Sequence, residues 1–184
     1  MTMHHLMLDL ETLGTTPKAC VTSLAVVQFD PDTSKTGAQF YKTIDLESAM
    51  AGREISSSTL KFWFKQDPRL QQQTFSGSEM TACVLSDLCK FIWDLKLNYD
   101  NIRVWGNGSS FDITIIEDLF RHYGMNAPWP FWGHRDCRTI EDAAYGKVHR
   151  RDFSREGPTH HPLYDCLFQI EYVSAMWQAL RGIK

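Results

Sequence analysis

The sequence has no Cys-x-x-Cys pair, no apolar run long enough to cross a bilayer, and no excess of positive charge. Each absence removes a class of protein. Five cysteines, at positions 20, 83, 89, 137 and 166, form an odd set without ligand spacing, so neither a disulfide framework nor a thiolate zinc site is indicated. A reducing cytoplasm is the expected location. A membrane helix needs about 18 consecutive apolar residues. The N-terminus also lacks a basic stretch followed by an apolar one, so neither secretion nor membrane insertion is expected. The formal charge of −3 excludes a broadly basic nucleic-acid coat, while a local basic patch remains compatible with phosphate binding. Repeats, low-complexity tracts and long linkers are missing as well.

What is present suffices for one compact domain spanning 1–184, because 43% of the residues are apolar and can build a sizeable core. After an N-terminal strand, "ACVTSLAVVQFD" and "AQFYKTI" read as two antiparallel strands joined by the turn "DPDTSKTG". That turn is not a calcium loop, since Lys35 and Tyr41 stand where a glycine and a bidentate acid are required. Serines 56 to 58 cap a helix through Leu60, Phe62, Trp63 and Phe64, which Pro68 is expected to stop. Met80, Val84, Leu88, Ile92 and Leu95 recur at helical steps, and "NIRVWG" then reads as a strand. The loop "GNGSS" leads into the helix "FDITIIEDLFRHYG"; no Gly-Lys-Ser/Thr follows the loop, so it is not a phosphate-binding P-loop. "RTIEDAAYG" predicts a short helix. A final long one is expected from Pro162 to about Arg181, with Asp165 in its first turn. The order implies a mixed sheet covered by helices.

The first strand carries the sharpest chemical signal. In "LMLDLETLGTTP" side chains alternate, so Asp9 and Glu11 share one face while Leu8 and Leu10 take the other. Two carboxylates beside a core need protons, hydrogen bonds or a cation to compensate them. By themselves they are equally readable as exposed strand ends.

Three segments taken together resemble the DEDD exonucleases of the ribonuclease H-like superfamily, in the branch with a catalytic histidine. The first motif stands as Asp9-Leu10-Glu11-Thr12-Leu13-Gly14, the second is similar to "GNGSSFD" ending at Asp112, and the third to "HHPLYD". In the last, His160 precedes Asp165 by five positions, with Pro162 where the family has alanine. "STLKFWFKQDPRLQ" further resembles phage and bacterial members close to the mycobacterial-type exoribonucleases. The resemblance implies an α/β fold with a ribonuclease H-like mixed sheet flanked by helices. It also implies a single exonuclease domain that hydrolyses single-stranded RNA or DNA from the 3′ end to nucleoside 5′-monophosphates.

Asp9, Glu11, Asp112 and Asp165 would then hold two divalent ions, Mg²⁺ or Mn²⁺, and His160 would serve as general base. Thr12 and Leu13 would surround the terminal nucleotide. Glu117 and Asp118 compete with Asp112 as acidic ligands, and His161 competes with His160 as base. Phe62, Trp63 and Phe64 are either core or base-stacking residues. Lys147, Arg150, Arg151 and Arg155 form a basic stretch that either guides a phosphodiester chain or is a solvated connection. Cys166 reads as packing. The resemblance admits a homodimer, for which the residues themselves offer no interface argument. A noncatalytic nucleic-acid-binding or polymerase-associated module of the same fold, and an endonuclease of the wider superfamily, are the competing functions.

Overall fold

The computed structural model describes residues 3–108 and 110–183; Ser109, in the predicted "GNGSS" loop, lies outside them. In chain order the elements begin with strands β1 (His5–Thr12), β2 (Val21–Asp30) and β3 (Lys35–Thr43), followed by helices α1 (Leu46–Met50), α2 (Ser57–Trp63), α3 (Pro68–Phe75) and α4 (Thr81–Asp94). Strand β4 (Arg103–Gly106), helix α5 (Asp112–His122), strand β5 (His134–Asp136), helix α6 (Cys137–Ala143) and helix α7 (Pro162–Arg181) complete the series. The five strands form one mixed sheet in the order β3-β2-β1-β4-β5. Strand β2 is antiparallel to β1 and β3, whereas β1, β4 and β5 run parallel.

Alternation along β1 sends its residues into two separate cores. Leu6, Leu8 and Leu10 pack with Leu24 and Val26 beneath α4 and α5, which contribute Val84, Leu88, Ile116 and Phe120. Met7 faces the other way, joining Ala25, Val27, Phe29 and Trp105 beneath α6 and α7, which contribute Ile140, Tyr172 and Met176. Asp9 and Glu11 prolong that second row. They therefore emerge at the end of the sheet on the face that α7 covers.

The predicted long helices match closely, and α7 starts with Pro162 in its first turn. Pro68, however, does not simply end a helix. It opens α3, where its missing N–H costs nothing and the Asp67 carboxylate accepts the Arg69 N–H at 2.8 Å. The short elements α1 and β5 lacked enough length for a periodic signal. In the hairpin, Asp30 folds the turn back on itself by accepting from the Asp32 N–H and the Thr33 hydroxyl, and β3 begins at Lys35, earlier than expected.

Arg53 fastens the segment after β1 to the helical layer. Its guanidinium donates to the carbonyls of Pro17 and Ala19 and pairs with Asp118 on α5 at 2.5 Å, with only 2% of the side chain exposed. Asp118→Ala, which leaves that buried cation unpaired, is expected to cost about 3 kcal/mol. In urea denaturation the double substitution Arg53→Met with Asp118→Leu should cost less; a larger loss in the double variant would contradict this role.

Candidate active site

A pocket of about 470 Å³ opens at the end of β1 and includes Asp9, Glu11, Asp112, Asp165 and His160 in its lining. Four separate parts of the fold supply these groups. Asp9 and Glu11 come from the α7 face of β1, and Asp165 comes from the first turn of α7. Carboxylate oxygens of these three residues lie within 4.8 Å of one another. Asp112 arrives from the opposite layer as the first residue of α5, where an acid is favoured by the helix dipole.

Local backbone geometry fixes Asp112. Beyond the last β1–β4 pair, the Leu10 N–H is released from the sheet and donates to Asp112 Oδ1 at 3.3 Å, while the Asn107 N–H donates to Oδ2 at 3.1 Å. Gly106 permits the close approach, since a Cβ there would stand 3.3 Å from Asp112 Oδ2. The competing acids are occupied elsewhere. Glu117 accepts from Trp129 Nε1 and bonds His134 Nε2, and Asp118 holds Arg53.

His160 reaches the pocket through a left-handed backbone, φ 60°, and its ring meets the edge of Phe62 at 4.9 Å. The next residue, His161, is extended as a residue before proline should be, and it packs its ring against Tyr41 and Tyr164 outside the pocket lining. Pro162 thus begins α7 while the bend at His160 turns that side chain to the acids. A nonglycine residue in this conformation carries backbone strain, which is tolerated where the surroundings overdetermine it.

Thr12 lines the pocket; its hydroxyl donates to the Gly14 carbonyl at 2.7 Å, and its carbonyl accepts from Trp63 Nε1 at 2.9 Å. Leu13 is not brought to the pocket. Its side chain is buried in the core, its N–H donates to the Cys20 carbonyl, and its carbonyl accepts the Ser56 N–H. The aromatic cluster divides: Trp63 is core and also reaches the pocket lining, Phe62 is an exposed part of the pocket wall, and Phe64 is exposed outside it. Cys166 is fully buried in packing.

Burial dominates the electrostatics. It raises Asp9 well above the usual carboxylate range, with Asp112 and then Glu11 adding to the effect. Burial and then Asp112 push Glu11 up to about 8. Asp112 is pushed up to about 7 by burial, against the pull of the N–H groups that bind it. His160 is lowered, first by burial and then by Arg155, so its imidazole is a neutral proton acceptor at neutral pH.

Positive charge gathers on the same cavity. Arg138, Arg150 and Arg155 all line it, and Arg155 contacts Asp165 Oδ1 while lying 4.7 Å over the Phe168 ring. The basic stretch is therefore only partly a solvated connection, since Lys147 and Arg151 are exposed but Arg150 and Arg155 face the acids. Arg138 on α6 and Gln169 on α7 also belong to the lining, and neither bore a sequence signal. The oxygen-only donor set fits hard divalent cations.

The model of the Rv2179c-like family, described as a 3′-5′ exoribonuclease domain, matches residues 4–177. An exodeoxyribonuclease of Enterobacteria phage T4 is 29% identical, over 77% of this chain and 72% of its own length. Among solved structures, cell-death related nuclease 4 (CRN-4) superposes with a TM-score of 0.69 at 15% identity, covering 95% of this chain and 63% of that one. This chain thus spans somewhat less than two thirds of CRN-4. The nuclease domain of 3′hExo, a DEDDh family member bound to rAMP, gives a TM-score of 0.67 at 12% identity, over 97% and 92% of the two chains. At such identities these structures show the fold alone, which is the ribonuclease H-like α/β exonuclease fold. With nearly its whole length matched, the chain belongs to the Rv2179c-like 3′-5′ exoribonuclease domain family and is a 3′-5′ exonuclease.

Proposed function

We propose that this exonuclease acts as one domain in a reducing cytoplasm, removing nucleotides singly from the 3′ end of single-stranded RNA or DNA and releasing nucleoside 5′-monophosphates. Asp9, Glu11, Asp112 and Asp165 would hold two divalent ions, Mg²⁺ or Mn²⁺. The observation that carries this reading is the convergence of three carboxylates within 4.8 Å in the pocket that His160 also enters. Both sugars are included because the matched family is described as exoribonuclease and the phage relative as exodeoxyribonuclease. The family assignment favours catalysis over a noncatalytic module.

When bound, the cations supply the charge that offsets the acids, acidifies the attacking water and stabilises the departing oxygen. The chain's own groups do the rest. His160 accepts a proton from water as the water oxygen bonds to phosphorus. The P–O3′ bond breaks with its electron pair on O3′, which takes a proton from solvent. Arg138, Arg150 and Arg155 face the phosphodiester, Thr12 and Phe62 flank the terminal nucleotide, and Leu13 anchors Thr12 from within the core.

End-labelled RNA and DNA strands incubated with Mg²⁺ or Mn²⁺ should yield mononucleotides, whereas circular single strands should resist. Internal cutting of circles, or no turnover of either polymer, would overturn the proposal. His160→Ala should lower kcat by about 10²- to 10⁴-fold with folding and metal binding retained. Asp9→Asn should instead weaken metal binding; wild-type rates in either variant would refute that assignment.

Stability should also depend on pH in a metal-free protein. Glu11 rises from its usual 4.5 to about 8 and Asp112 from 3.8 to about 7, so the native state binds more protons than the unfolded chain between those values. Their contribution is present below the unfolded values and lost as pH rises through 7 to 8. Urea midpoints in chelator should therefore fall from about pH 5 to about pH 8.5, and saturating Mg²⁺ should restore them at the upper end. A midpoint that rises over this range in chelator would be the contrary result.

A further inference from the structure

Gln169 is a polar residue in a place that packing alone does not explain. It lies on α7 four residues after Asp165, within the buried run Phe168, Ile170, Tyr172 and Val173, and is 2% exposed. Its Nε2 donates to Asp9 Oδ1 at 2.7 Å, a bond between residues 160 positions apart. Its Oε1 is buried and has no hydrogen-bond partner among the described residues. An amide with one end unpaired in an apolar row is less favourable than leucine or methionine of similar volume. The bond to Asp9 is what distinguishes this side chain.

The orientation of the amide follows from the same bond. Against the ionised Asp9 that a cation would bind, a turned-over Gln169 would set Oε1 to a carboxylate oxygen, an acceptor against an acceptor. Helical spacing puts Asp165 and Gln169 on one stripe of α7, so the helix brings a candidate ligand and a donor to Asp9 together. We propose that Gln169 is a positioning residue for the metal site: its amide N–H pins Asp9 Oδ1 and sets the carboxylate plane before a cation arrives. Residues that orient a ligand in this way commonly change metal affinity 10- to 100-fold when replaced.

This inference rests on the proposed metal-dependent reading, and the test separates the two. Mn²⁺ is titrated calorimetrically into metal-free wild type, Gln169→Met and Gln169→Leu, with circular dichroism melts of each metal-free protein alongside. Gln169→Met should bind Mn²⁺ about 10-fold more weakly. Its kcat should fall at limiting Mn²⁺ and recover when Mn²⁺ is saturating, while KM for an oligonucleotide stays within about twofold of wild type. Gln169→Leu likewise removes the donor without adding charge, and should also bind more weakly. Equal or tighter Mn²⁺ binding by either folded variant overturns the proposal, as does unfolding of both in the metal-free state, which would assign the amide to the core. If wild type itself binds no Mn²⁺, the metal-dependent reading fails first.

Discussion

Confinement of like charge at the end of one strand is the constraint around which this molecule is organised. Two ionised carboxylates with oxygens no more than 4.8 Å apart repel by roughly 3 kcal/mol or more at an effective dielectric of about 20, and burial adds a desolvation penalty to each. The fold answers with partial compensation. Backbone N–H groups hold Asp112, the Gln169 amide holds Asp9, and Arg155 meets Asp165. The rise of Asp9, Glu11 and Asp112 above ordinary carboxylate behaviour shows that these groups do not cancel the cost. Divalent cations complete the balance in the proposed mechanism.

The two sheet faces divide the work. Beneath α4 and α5 an apolar core fixes the height and direction of β1, and α5 delivers Asp112 from that layer. Beneath α6 and α7 the row of Met7, Asp9 and Glu11 passes from core to pocket within five residues. Helix α7 follows the same transition, from Met176 and Tyr172 in the core to Gln169 and Asp165 at the cavity. Two of the three pocket arginines are held by aromatic faces: Arg150 lies 5.2 Å over Tyr172, and Arg155 lies over Phe168. In the proposed function such anchoring would present positive charge to a phosphate at lower entropic cost than free surface arginines would.

Much of this was legible in the residues, for reasons that differ by element. Alternation in β1 separated Asp9 and Glu11 from Leu8 and Leu10, because a strand's period is strict. Helical spacing and Pro162 marked α7, and with it Asp165. The glycine-rich loop before "FD" already favours Asp112 over Glu117 and Asp118, and the folded chain adds the physical reason, since Trp129, His134 and Arg53 claim the other two. Leu13 was assigned to the nucleotide by resemblance, yet its side chain is buried in the core and its backbone groups are spent on Cys20 and Ser56. Gln169 and Arg138 carried no local pattern, because an amide or guanidinium on a helix reads as solvent-facing until the neighbouring element is placed. Pro68 shows a further limit: proline stops one helix and starts another with the same geometry.

The central claim is that Asp9, Glu11, Asp112 and Asp165 form a cradle for paired dications. Anomalous diffraction from crystals grown with Mn²⁺ tests it most directly. Two strong peaks among these four carboxylates, at a separation of about 4 Å, are the expected result. Peaks located elsewhere, or an ordered pocket that stays free of manganese at saturating concentration, would contradict it.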